Sequence, residues 1–122
     1  MSRIEHKVKL CSKGICKEET ALFDADSDLT YISPKLADEM KVKYTGFEFE
    51  TEVANKGKLH VREAEIDELK VLGCRRIKPR IMVADVGRNI IVGNDIMLLL
   101  GITLDPKKHK LKINKCKGPI LY

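Results

Sequence analysis

Hydrophobic and polar positions alternate with a period of two over much of this chain, the signature of half-buried β-strands. His6 to Cys11 interleaves lysine with Val8 and Leu10. Gly14 supplies a turn, and Ile15 to Phe23 returns as a second strand ending in the apolar run Ala21-Leu22-Phe23. A polar break follows, Asp24-Ala25-Asp26-Ser27-Asp28, and then a short strand from Leu29 to Ser33. Ser33-Pro34 has the form of an N-cap followed by proline at the first helical position. It predicts a short helix over Pro34 to Met40 with Leu36, Ala37 and Met40 inward.

Phe47 to Val53 alternates strictly, with Phe47, Phe49, Thr51 and Val53 on one face and glutamates on the other. Asn55-Lys56-Gly57 is turn chemistry, and Leu59 to Ile66 returns as the other arm of a long hairpin. Strands follow over Leu69 to Leu72, Arg80 to Ala84 and Ile90 to Val92. Gly93-Asn94-Asp95 breaks the last of these and reads as the cap of a short helix, Ile96 to Leu100, closed by Gly101. Ile102 to Leu104 and Leu111 to Ile113 form a final hairpin across Pro106-Lys107-Lys108. Many short strands with two short helices predict a mainly-β barrel. With no linker and no internal repeat, residues 1–122 read as a single domain.

Composition narrows the class. No apolar run approaches the roughly 18 residues of a membrane span, and the first residues carry no apolar leader. The expectation is a soluble, cytoplasmic protein without a membrane partner. The net charge of +5 is concentrated late, at Lys107, Lys108, Lys110, Lys112, Lys115 and Lys117. Such a tail suits nucleic acid, but no aromatic residues interleave with it for base stacking. A lysine-protected strand pair is the preferred reading, so nucleic acid is not an expected partner. The absence of glutamine and the abundance of Lys and Glu resemble hyperthermophile composition. Cys11 and Cys16 flank a turn and are placed for a cross-strand disulfide worth about 2 kcal/mol by loop entropy. Free thiols and a zinc site remain alternatives for Cys11, Cys16, Cys74 and Cys116, although Cys-x4-Cys is poor ligand spacing.

The informative chemistry is the acidic break. A carboxylate directly after a buried strand is held rigidly and partly desolvated. Two of them face to face share one proton, because both cannot ionise at close range. One then activates a water while the other protonates a carbonyl oxygen. His6, His60 and His109 are scattered, and no Ser/His or Cys/His nucleophile arrangement occurs.

Leu22, Phe23, Asp24, Ser27, Asp28, Thr30, Ile32 and Ser33 resemble the active-site strand and loop of retropepsin-like aspartic proteases. Ile90-Ile91-Val92-Gly93-Asn94-Asp95 is similar to that family's second motif, apolar-apolar-Gly-x-Asp/Asn before a short helix. The two occur in order with a flap-like hairpin between them, and the resemblance covers about Lys7 to Ile113. It implies a retropepsin-like closed β-barrel with one or two short helices, one subunit of a homodimer. It implies an aspartic endopeptidase acting on a peptide or protein substrate, with no cofactor and no metal. Asp24 would be the catalytic acid, one per subunit. Asp28 and the hairpin tip Ala54, Asn55, Lys56 and Gly57 would bind substrate. Ala25, Asp26, Ser27, Gly93 and Asn94 would support the active-site loop. The apolar end Gly118 to Tyr122 would pair between subunits. Asn94 and Asp95 themselves read as helix caps and not as catalytic groups.

Two positions depart from the pattern. Ala25 stands where the family has Thr or Ser, whose hydroxyl braces the two loops across the dimer. Asp26 stands where it has Gly, bringing an extra charge beside the acid. Taking Asp26-Ser27 as the Asp-Ser pair fails, because Ile32-Ser33 would sit two residues too close. The alternative reading is a catalytically silent domain of this fold that serves dimerisation or peptide binding.

Overall fold

The computed structural model describes residues 3–53 and 57–113. Eleven strands and two helices follow one another as β1 (Arg3–Ser12), β2 (Ile15–Asp24), β3 (Tyr31–Ile32), α1 (Pro34–Met40), β4 (Lys43–Val53), β5 (Gly57–Glu65), β6 (Glu68–Val71), β7 (Cys74–Ile77), β8 (Arg80–Val83), β9 (Ile90–Val92), α2 (Asn94–Leu100), β10 (Ile102–Asp105) and β11 (Lys110–Ile113). Nine strands form one sheet in the order β4-β5-β8-β3-β9-β2-β1-β6-β7, and β10 pairs with β11 separately. The large sheet curls into a half-barrel, leaving β4 and β7 as its end strands.

Local chemistry explains most of these elements. Lys13-Gly14 and Leu72-Gly73 both have positive φ and join β1 to β2 and β6 to β7. Consecutive positive φ values match the right-handed twist of a two-residue hairpin. Ser33 caps α1 by accepting the Leu36 N–H on its Oγ at 3.1 Å, with Pro34 at the first helical position. The inner faces of the sheet and both helices bury Phe23, Ile32, Leu36, Met40, Leu69, Ile81, Ile90 and Leu100. Each such side chain contributes about 1.5–3 kcal/mol of transfer free energy.

Several expectations are corrected in detail. Strand β7 carries no sequence signal, because Cys74-Arg75-Arg76-Ile77 shows no apolar alternation and is exposed after its first residue. Strand β4 starts four residues earlier than its alternation suggests, with a bulge between Tyr44 and Glu48. Phe47 is correspondingly exposed, and its ring lies against Phe49 instead of in the core. Cys11 and Cys16 face each other in register, with Cα atoms 4.1 Å apart, and form the disulfide. No described cysteine is free, which removes the free-thiol reading for Cys11, Cys16 and Cys74. Among the described residues no helix is long and apolar enough to cross a membrane. Ala54, Asn55, Lys56, Cys116 and the segment 118–122 lie outside the described residues.

Candidate active site

The buried end of β2 delivers Asp24. Phe23 is fully buried beside it, and the Asp24 side chain keeps only 11% of its surface exposed. The chain then turns on the aspartate itself. The Ser27 N–H donates to the Asp24 carbonyl at 3.1 Å, and the Asp26 N–H donates to Asp24 Oδ1 at 2.9 Å. This local side-chain-to-backbone turn is what Asp favours where a strand stops. On the other oxygen, Arg3 Nε lies 3.5 Å from Oδ2, because Arg3 and Asp24 are register partners of β1 and β2. The guanidinium side is open to water, so the pair is a weak tether.

The loop is clamped from the far end of the sequence. β9 runs parallel to β2, pairing Leu22 with Ile91 and Phe23 with Val92. This register lays Gly93-Asn94-Asp95 along the 25–30 loop. The Asn94 side chain donates from Nδ2 to the Ala25 carbonyl at 2.6 Å, and its N–H donates to the Ser27 carbonyl at 2.8 Å. The Asp95 N–H donates to the Asp28 carbonyl at 3.2 Å. Thr30, buried, completes the clamp. Its hydroxyl donates to Asp95 Oδ1 at 2.7 Å and accepts from the Gly93 N–H at 3.0 Å. Its own N–H reaches Asp95 Oδ2 at 3.3 Å. A Cβ on Gly93 would stand 2.3 Å from the Leu29 carbonyl oxygen and 2.6 Å from that of Ser27. Only glycine lets the two backbones approach this closely.

Asp24, Ala25, Asp26, Ser27, Gly93 and Asn94 are thus brought into one interlocked cluster, with Asp28 exposed at its margin. Gly57 belongs to the separate β4–β5 hairpin, where it pairs with Val53 at a φ of 73°. The capping role expected of Asn94 and Asp95 is corrected in part: Gly93 is the N-cap of α2 and the Asn94 side chain reaches across to the acidic loop, while Asp95 both takes the first-turn Ile96 N–H on Oδ1 at 2.8 Å and accepts from Thr30. Asp95 and Thr30 carry more of the site's framework than their sequence positions suggest. The Thr30–Asp95 pair is a long-range contact, which no local pattern reveals.

The two departures also take on a definite form. Asp26 is exposed, and its φ is not positive. Its backbone needs no glycine, and its amide already serves the Asp24 carboxylate. Ala25 offers its carbonyl to Asn94, while the residue lines a hollow of about 250 Å³ with Met97, Leu98, Ile102 and Leu104. Leu98 beside it is 75% exposed and Leu99 is 42% exposed.

A second apolar surface adjoins the loop. Val61, Met82 and Ala84 are buried together, and Leu29, Tyr31, Phe49, Leu59 and Val86 lie partly exposed against them. It joins the strand after the acidic loop to both arms of the β4–β5 hairpin. Burial, and then the nearby Asp95 and Asp28 carboxylates, push the Tyr31 phenol above its ordinary range.

No protein-family model matches the chain, and no curated protein sequence matches it. Solved structures do match its fold. The retroviral protease-like domain of Ddi1 from Leishmania major superposes with a TM-score of 0.63 at 15% identity, covering 100% of this chain and 96% of that one. EIAV protease, solved with the inhibitor HBY-793, gives 0.61 at 24% identity over 84% of this chain and 92% of that one. A retropepsin-like aspartic protease from Rickettsia conorii gives 0.59 at 15% identity over 83% and 84%. The chain therefore has the retropepsin-like fold.

Proposed function

We propose that this chain is one half of an aspartic endopeptidase and becomes active by pairing with a second copy of itself. The observation that carries the reading is Asp24: a nearly buried carboxylate on a strand end, gripped by the Asp26 amide and by a loop clamped through Gly93, Asn94, Asp95 and Thr30. Such rigidity is what a general acid–base group needs. One chain supplies one such carboxylate, and the chemistry needs two. An isologous pair about a two-fold axis brings the two Asp24 side chains together.

In that pair one carboxylate takes a proton from water, and the water oxygen bonds to the peptide carbonyl carbon. The other, protonated, hydrogen-bonds the carbonyl oxygen and hands over its proton as the tetrahedral species forms. Collapse breaks the C–N bond, with a proton delivered to the leaving nitrogen. No covalent enzyme intermediate forms. The exposed Leu98 and Leu99 and the hollow beside Ala25 support self-pairing at this edge. The partly open apolar surface from Tyr31 to Phe49 supports seating of a peptide side chain. In this reading Asp28, at the loop margin, and the hairpin tip 54–57 contact the peptide backbone.

The test is digestion of a peptide library between pH 3 and 7 by the chain and by Asp24→Asn, with sedimentation of both. Cleavage by the parent alone, from a dimer, is the expected result. Dimers of both proteins that cleave nothing would leave the fold serving peptide binding only.

A further inference from the structure

The outer face of β1 and β6 carries an arrangement that sheet stability alone does not call for. Lys9 and Lys70 are direct register partners across the two strands, and Arg75 of β7 is the next residue in the same row. Like charges placed directly opposite destabilise a sheet. Arg75 is relieved by Glu68, 3.5 Å away. Among the described residues Lys7, Lys9 and Lys70 form no ion pair, although Glu18 stands opposite Lys9 in register. Edge protection does not account for Lys9 and Lys70, which face each other where β1 and β6 are paired, whereas Lys7 lies on the stretch of β1 that pairs with β2 alone. The three lysines, with His6, Glu18 and Leu72, line a depression of about 380 Å³.

We propose that this depression is a docking site for an extended acidic polypeptide segment. Lys7 and Lys9 point to the same side of one strand, so their attachment points lie about 7 Å apart. Alternate side chains of an extended peptide repeat at the same distance. Glu or Asp at every second position therefore meets Lys7 and Lys9 in turn, with Lys70 flanking the second. Leu72, half-exposed in the β6–β7 turn, offers an apolar contact at one end. A peptide side chain covers that contact, whereas a phosphate backbone does not. The lining holds no Phe, Tyr or Trp on which a nucleobase would stack. The site is separate from the Asp24 loop, and its occupancy does not rest on the peptidase reading.

The experiment measures fluorescence anisotropy of a labelled Glu-Ser repeat peptide on the full chain carrying Asp24→Asn, so that cleavage cannot intervene. A Lys-Ser repeat and oligo-dT serve as comparison probes. The acidic peptide is expected to bind more tightly than either, weakening as salt rises. Lys9→Glu with Lys70→Glu should weaken it about tenfold or more, and Lys9→Gln with Lys70→Gln by a smaller factor. Lys58→Glu, on β5 and separated from β1 by four strands of the sheet, should change it less than about twofold. The Gln pair should also leave the free protein at least as thermally stable as the parent. The proposal is overturned by oligo-dT binding more tightly than the peptide. It also fails if the peptide does not bind at low salt, or if Lys58→Glu causes an equal loss.

Discussion

Asn94 reaches Ala25 through the backbone: its Nδ2 donates to the Ala25 carbonyl at 2.6 Å, across 69 residues of sequence. The bond does not depend on which side chain residue 25 carries. The loop that holds Asp24 can thus keep its shape although Ala25 lacks a hydroxyl. Loss of the donor is another matter. Asn94→Leu should leave a partly buried carbonyl without this partner and cost about 1–3 kcal/mol. Urea denaturation measures it, and peptidase activity should fall by a larger factor than stability alone explains.

Gly93→Ala should be more damaging. Its new methyl would sit 2.3 Å from one backbone oxygen and 2.6 Å from another, and backbone cannot rotate aside as a side chain does. A loss of about 3 kcal/mol is expected, visible as a lowered thermal midpoint. An unchanged midpoint would mean that the 25–30 loop and β9 separate readily.

Thr30→Val keeps the shape and removes the hydroxyl. The Gly93 N–H and Asp95 Oδ1 would each lose a partner in a buried setting. The expected cost is about 2 kcal/mol. Thr30→Ser, which retains the hydroxyl, should recover most of the hydrogen-bonding loss.

Asp26→Gly separates two views of the loop. Glycine is not required there, because Asp26 has no positive φ and already donates its amide to Asp24. The substitution should lower stability by about 0.5–1 kcal/mol through the freer unfolded chain. A large gain in peptidase activity would show instead that the exposed carboxylate impairs the acid pair.

Tyr31 gives a pH signature. Its phenol is held above the ordinary value of 10.0 by burial first, then by Asp95 and Asp28. The folded state therefore binds this proton more tightly than the unfolded chain does. The resulting stability is present below pH 10 and is lost as pH rises through the raised folded value. Tyr31→Phe should flatten the alkaline fall in the unfolding midpoint, and one late-titrating tyrosine should vanish from the absorbance titration.

Leu98→Lys tests self-pairing. A charge on this exposed leucine beside the Ala25 hollow should convert sedimenting dimers to folded monomers. A dimer of unchanged affinity would place the contact surface elsewhere.

The elements legible in the sequence were those with local causes. Ser33-Pro34 marks α1, whose extent matches the reading residue for residue. The same holds for β9, a short apolar run ended by glycine. Strand β7 was hidden because its arginines lie exposed at the end of the sheet, where burial imposes no pattern. Within the site, the positions of Asp24, Gly93 and Asn94 followed from motif order. The tasks of Thr30 and Asp95 did not, since a buried hydroxyl bridging two distant segments leaves no periodic trace. Arg3 was missed for a similar reason: its relation to Asp24 depends on the register of a whole hairpin.

The parallel pairing of β2 with β9 also sets a timetable. Asp24 is made well before residues 90–95, the strand and glycine turn that seat it. Contacts this distant in sequence form late and slowly. A ribosome-bound chain that has not yet released residues 90–95 carries the acid without its clamp. On the proposed reading, hydrolysis has to wait for that clamp, and a fragment ending before Ile90 would hold Asp24 without the residues that fix its loop.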